Sequence, residues 1–202
     1  MTHPARLPLP SASPSRPRIS DQAWHALLPY LLHRSPQGRP LRELRTRMEG
    51  IFFIATTHRP WRDLPAEYGK ADTVARYFRR LTHAGLWQRL LQAIADTAPA
   101  HPLRQVAPLI LHACRRAHRL LGPAFNRLAR VLNLRGALPG PPWLLPDPLL
   151  SETLAGIEIP DPRAAPWGQR GALAERLRSL RRLWRDAAGR ASISRATRMG
   201  WP

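Results

Sequence analysis

Between residues 19 and 95 apolar positions recur with the period of an α-helix, and the pattern predicts four helices. In "ISDQAWHALLPYLLHR" Trp24, Leu27, Leu28 and Leu31 repeat at helical spacing, Ser20 is placed to cap the first turn, and Pro29 must kink or end the helix. The turn "SPQGRP" follows, with Pro40 where a first helical residue tolerates proline. In "LRELRTRMEGIFFIATTH" Leu44, Met48, Ile51, Phe52 and Ala55 share one face, away from Arg42, Arg45 and Glu49, which predicts a helix with a buried C-terminal half. The third helix, in "ADTVARYFRRLTHAG", has Asp72 as its expected cap and Gly85 as its expected stop. Val74, Tyr77, Phe78 and Leu81 cluster on one side of it, and a projection at about 100° per residue puts Thr73, Arg76, Arg79, Arg80 and His83 on the other. A fourth helix, "LWQRLLQAIA", turns Leu86, Trp87, Leu90, Leu91 and Ile94 toward its neighbours.

Beyond residue 95 the pattern loosens. From Leu103 to Leu134 it stays helical, with apolar positions at Val106, Ile110, Ala113, Ala117, Leu120, Leu121, Leu128 and Val131 and an interruption at Gly122 and Pro123. Gly136 to Gly168 holds eight of the 23 prolines and predicts an extended connector, with Trp143, Leu144 and Leu145 docked on the core. "ALAERLRSLRRLWRDAA" predicts a last helix with Leu173, Leu177, Leu180, Trp184 and Ala187 in a narrow stripe, opposite Arg178, Arg181, Arg182 and Arg185. No repeat is present, and "GIEIP" is too short to build a sheet. The expected class is therefore mainly α. Its parts are a disordered tail (1–18), a helical domain (19–98), a helical extension (99–135), a Pro-rich connector (136–170), a basic amphipathic helix (171–190) and a C-terminal tail (191–202).

Charge adds a partner to this picture. The formal net charge is +19, and of 32 basic residues only Lys70 is lysine. Such an excess attracts polyanions, and the planar guanidinium fork suits phosphate, so nucleic acid is the expected partner. A codon bias toward arginine, alanine, proline and glycine would also enrich arginine, but it leaves the scarcity of acidic residues unexplained. The single cysteine, Cys114, excludes an internal disulfide framework and fits a reducing compartment. There is no apolar leader, and no run approaches the ~18 apolar residues of a spanning helix. A cytoplasmic, nucleoid-associated protein without a membrane partner is expected.

The segment "WRDLPAEYG", residues 61–69, joins the buried second helix to the basic third one. Trp61 is expected to anchor it in the core, Asp63 to accept hydrogen bonds from amides or a nearby arginine, and Pro65 and Gly69 to shape the turn. Together with "SDQAW", "GRP" at 38–40, "GIFFIATTHRPWRDLP" at 50–65, "TVARYFRRL" at 73–81 and "GLW" at 85–87, it resembles the N-terminal domain of bacterial insertion-element transposases of the Asp-Asp-Glu type. The resemblance covers residues 20 to 95, and the usual "TG" before the tryptophan segment is replaced by Thr57 and His58. It implies a helix-turn-helix-like unit that binds DNA at the element's terminal repeats, with Arg76, Arg79 and Arg80 as contacts on the third helix. Thr73 and His83 share that face, and Arg39 of the "GRP" turn joins the candidate set. A basic helix face by itself is as well explained by solvation.

The catalytic domain that such transposases carry, a ribonuclease-H-like sheet whose three carboxylates hold two divalent metals, is not recognisable here. Asp96, Asp147, Glu152, Glu158, Asp161, Glu175 and Asp186 follow no buried strand and are too compressed for that triad, so they read as caps and surface groups. In "HACRRAH" His112, Cys114 and His118 fall short of a zinc set without a second cluster, and structural side chains are expected. No cofactor-binding loop and no nucleophile signature is present. For the C-terminal basic helix, packing on the core ranks ahead of partner pairing or a membrane surface. The expected function is a transposase-related DNA-binding protein that does not catalyse strand transfer alone and pairs with itself or with a full-length transposase. The alternatives are a helical protein-interaction module and the DNA-binding part of a split transposase.

Overall fold

The structure, a computed structural model, describes residues 18–31, 43–159, 161, 163, 166–190 and 192–201. Residues 1–17, the turn "SPQGRP" with Pro40, and Arg39 lie outside the described residues. The described chain is mainly α, with no strand.

Helix α1 (Asp21–Leu31) begins where Ser20 predicts, the Ser20 hydroxyl accepting a bond from the Ala23 amide at 3.2 Å. Pro29 sits inside α1, two residues before Leu31. Helix α2 (Leu44–Thr57) buries Met48 and then every residue from Gly50 through Ala55. Phe53 and Ile54 thus join the predicted face, and the C-terminal half of α2 is covered all round rather than on one side. Arg45 ties α1 to α2 by its ion pair with Asp21 at 2.6 Å and a bond to the Ile19 carbonyl.

The segment after α2 folds as two short 3-10 turns, Trp61–Asp63 and Ala66–Tyr68, and its buried members are Leu64 and Tyr68. Both press on Gly50, where a methyl group would come within 2.8 Å of Tyr68 Cβ. Gly69, at φ +96°, then turns the chain into α3 (Ala71–His83) in a conformation that other residues rarely adopt. Lys70, not Asp72, is the residue that precedes the first turn, and it gives no side-chain cap. Asp72 lies inside that turn, where its charge faces the positive end of the helix dipole. At the other end Gly85 takes φ +72° as expected, and α4 (Leu86–Asp96) buries all five predicted apolar residues. The α3–α4 corner is fastened by Thr82, which donates to the Phe78 carbonyl at 2.9 Å and accepts from Trp87 Nε1 at 2.8 Å.

Helix α5 (Ala107–Leu121) packs against α2, α3 and α4, with Ile110, Ala113, Cys114 and Ala117 buried in the same core. Three of these four side chains are small, which lets α5 approach closely. Gly122 separates it from α6 (Pro123–Val131). Leu120 and Val131, predicted as core positions, stand 45% and 62% exposed, because α5 and α6 are covered on one side only at these points.

The Pro-rich stretch differs from the expected open connector. It contains α7 (Pro148–Ala155), started by Pro148 at the first position and by Asp147, whose carboxylate accepts from the Leu150 amide at 3.2 Å. Of the three residues expected to dock, Leu145 is buried and Leu144 half-buried, but Trp143 is 73% exposed and meets Trp201 edge-on at 6.0 Å. Helix α8 (Arg170–Ala188) does not lie on the core as expected. It packs on α7, buries only Ala187, and leaves Trp184 42% exposed, since a stripe one residue wide per turn finds only the two-turn α7 opposite it. Its end is tied back by backbone bonds from Asp147 to Ala187 and from Arg190 to Leu144. Helix α9 (Arg195–Met199), capped by Ser194, follows.

Two glycine substitutions test the packing. Gly50→Ala forces a methyl into Tyr68 and is expected to destabilise the protein by ~1–3 kcal/mol in urea unfolding. Gly171→Ala, in α8 with open space around it, should be neutral or stabilising by up to ~1 kcal/mol.

Candidate nucleic-acid interface

The face of α3 that the projection turns outward is exposed at every predicted position: Thr73, Arg76, Arg79, Arg80 and His83. The inner face, Val74, Ala75, Tyr77, Phe78 and Thr82, is buried, so the two faces are fixed relative to the core. Arg80 leans over the Tyr77 ring, 5.5 Å from its centroid, which holds its guanidinium near the helix. No ion pair among the described residues involves Arg76, Arg79 or Arg80.

The segment that presents α3 works differently from the reading of its residue types. Trp61 is half-buried at the core's edge, its ring 5.3 Å from Phe78 on α3 and with the Arg116 guanidinium of α5 4.8 Å over it. Asp63 is exposed and lies 3.7 Å from Arg62, an exposed pair that adds little. Pro65 and Gly69 stand at the ends of the second 3-10 turn as expected. Leu64 and Tyr68, which carry most of the anchoring, were missed. The spacing of Trp61, Leu64 and Tyr68, three and then four, is the signal that marks them.

Arg79 also faces inward along the surface, into a cleft of about 560 Å³ between α3, α5 and α9 that sequence reasoning did not find. Arg115, Arg116 and Arg119 of α5 and Arg195 and Arg198 of α9 line it, with His58, His118 and Trp61. A second hollow of about 480 Å³ continues past His118, Arg119 and Arg198 toward Arg190. No carboxylate lines either hollow among the described residues.

The local field follows from this lining. Burial, then Arg115 and Arg116, pushes the His58 imidazole below its ordinary value. Burial, then Arg115 and His58, lowers His112 to about 4. His118 is lowered by burial, with Arg119 and Arg198 adding to the effect and a bond to the Arg115 carbonyl opposing it. Burial pushes the Cys114 thiol up, which leaves it an inert core group. Among the described residues no group of three or more His, Cys, Asp or Glu could hold a metal ion. Nor is any described helix long and apolar enough to cross a membrane.

A pH dependence follows from the histidines. His58, His112 and His118 have lowered pKa values when folded, so below pH ~6.5 the unfolded chain binds more protons and stability falls. The effect is absent above that range and grows as pH drops toward 4. Urea midpoints measured between pH 7.5 and 5.5 should decline, and His112→Gln should make the decline shallower.

Residues 19–91 match the family model described as "Putative transposase of IS4/5 family". The chain is 36% identical over 87 residues to the "Insertion element IS402 uncharacterized 16.2 kDa protein" of Burkholderia cepacia, an alignment covering 38% of this chain and 56% of that protein. The chain thus spans little more than half the length of this relative. No solved structure matches. The matched segment takes in α1 to α3, the turns that join α2 to α3 and most of α4, so this part of the chain is similar to the N-terminal part of IS4/5-type transposases.

Proposed function

We propose that this transposase-related protein binds DNA through α3 and does not carry out strand transfer alone. The observation that carries the reading is the outer face of α3, where Arg76, Arg79 and Arg80 stand exposed beside Thr73 and His83 on a helix fixed from behind. A helix of this kind, held by a compact support, suits the major groove, where guanidinium forks meet guanine edges and phosphates. The net charge of +19 supplies the affinity that does not depend on sequence, and α3 supplies whatever preference there is. The terminal repeats of an insertion element are the natural target for a protein related to IS4/5 transposases.

The acidic residues beyond α4 support the non-catalytic part of the proposal. Asp147 caps α7 and pairs with Arg130 at 2.9 Å, and Glu152 pairs with Arg127 at 3.2 Å. Both therefore have structural work that competes with holding a metal. The second reading, pairing through a helix with another copy or with a full-length transposase, rests on α8, where Leu183 and Trp184 are 41% and 42% exposed.

Fluorescence anisotropy of a labelled duplex across a salt series tests the proposal. Binding should weaken linearly in log salt, and Arg76→Gln with Arg80→Gln should reduce the slope by ~2 and weaken binding at every salt concentration. Absence of binding at low salt would overturn it.

A further inference from the structure

We propose that the cleft between α3, α5 and α9, which adjoins the outer face of α3 and shares Arg79 with it, is a binding site for a phosphoryl group. Arginines from three elements converge there: Arg79 from α3, Arg115, Arg116 and Arg119 from α5, and Arg195 and Arg198 from α9. Like charges brought together in a hollow repel, and no carboxylate among the described residues lines it to relieve them. All 13 acidic residues of the chain belong to the described part, so the counter-charge is not supplied by a side chain elsewhere.

Burial makes the demand sharper. Arg115 is only 9% exposed. One of its terminal nitrogens donates to the Trp201 carbonyl at 2.8 Å, while its Nε is buried with no partner. The Arg116 guanidinium carbon sits 4.8 Å from the Trp61 ring centroid, and its Nε is likewise buried and unpaired. Buried donors are almost always satisfied, and a desolvated cation without an anion is costly, so an anion between these groups would satisfy both demands. A phosphoryl group fits best: it offers several acceptor oxygens in an arrangement that matches more than one guanidinium fork. The C-terminal segment has a defined part here, because it closes one wall with Arg195 and Arg198 and holds Arg115 through Trp201.

Phosphoryl groups reach such a cleft from two sources, free phosphate compounds and a nucleic-acid backbone. Thermal unfolding of the full chain with sodium pyrophosphate, against sodium chloride at equal ionic strength, tests the shared chemistry. The melting temperature should rise by ~2 °C or more beyond the chloride control and saturate. Arg116→Met, which keeps the stem over Trp61, combined with Arg198→Gln should abolish that rise; Arg198→Gln alone serves if the pair fails to fold. Arg76→Gln with Arg80→Gln, outside the cleft, should leave the rise intact, so failure of the α3 reading is distinguishable from failure of this one. In the second arm, a labelled duplex that binds the Arg116→Met/Arg198→Gln protein at least ~10-fold more weakly assigns the phosphoryl group to the backbone. Unchanged duplex binding with the pyrophosphate response lost assigns it to a free compound. A melting rise no larger than with chloride, or one that survives in the cleft variants, overturns the proposal.

Discussion

Six consecutive buried residues, Gly50 to Ala55, set the terms for the rest of the molecule. A helix apolar on one face can rest on a single neighbour, but one covered all round must be enclosed. Around α2 that enclosure is made by α3, by Leu64 and the second 3-10 turn and, most extensively, by α5. The side toward the turns is so close that only glycine fits at position 50. The orientation of α3 follows, because its start is fixed by the turns that Gly50 admits and its inner face by Trp61 and Trp87, which flank Phe78 at 5.3 and 5.7 Å.

Charge is segregated as firmly as hydrophobicity. Three of the carboxylates with an ion pair stitch elements together: Asp21 holds Arg45, Asp147 holds Arg130, and Glu152 holds Arg127, while Glu49 pairs with Arg45 within α2. Arg104 spends its donors on the Thr97 carbonyl at the end of α4. These arginines are structural, and together they engage four of the 13 acidic residues. The arginines of α3 and of the cleft, and Arg178, Arg181, Arg182 and Arg185 of α8, have no such partners among the described ion pairs. A uniform arginine enrichment from codon bias would scatter charge over the surface; here it is gathered on faces that the fold holds in place.

How far the sequence could be read depended on whether a signal was local. Helices α3 and α4 were legible because one turn glycine, Gly85, and strict apolar spacing on each side of it act within a few residues. The cap of α1 was legible for the same reason. Helix α7 was hidden because its start signals, Asp147 and Pro148, sit in a run where prolines argue against any helix. Spacing marks the stripe of α8 but not its partner, since it says that a face must be covered and not by what. The residue type of Asp72 suits a cap, but the chain turns at Gly69 and α3 starts at Ala71, which places Asp72 inside the first turn. The cleft could not be read at all. It brings His58 beside Arg116 and Arg198, positions separated by most of the chain, and no short-range pattern records that meeting.

The matched family segment ends at residue 91, yet the helix that covers its most buried element comes later, at Ala107–Leu121. Helix α5 therefore has two duties that explain its unusual composition. Toward α2 it offers Ala113, Cys114 and Ala117, small enough for close approach; toward the cleft it offers Arg115, Arg116 and Arg119, within one turn of those same residues. An apolar helix would serve the first duty without the second. The arginines cannot be moved out to solvent without rotating α5 and withdrawing its small residues from α2. Packing thus holds two guanidinium groups at the edge of the core, where desolvation works against them, and the same constraint that closes the fold creates an electropositive hollow beside the exposed face of α3.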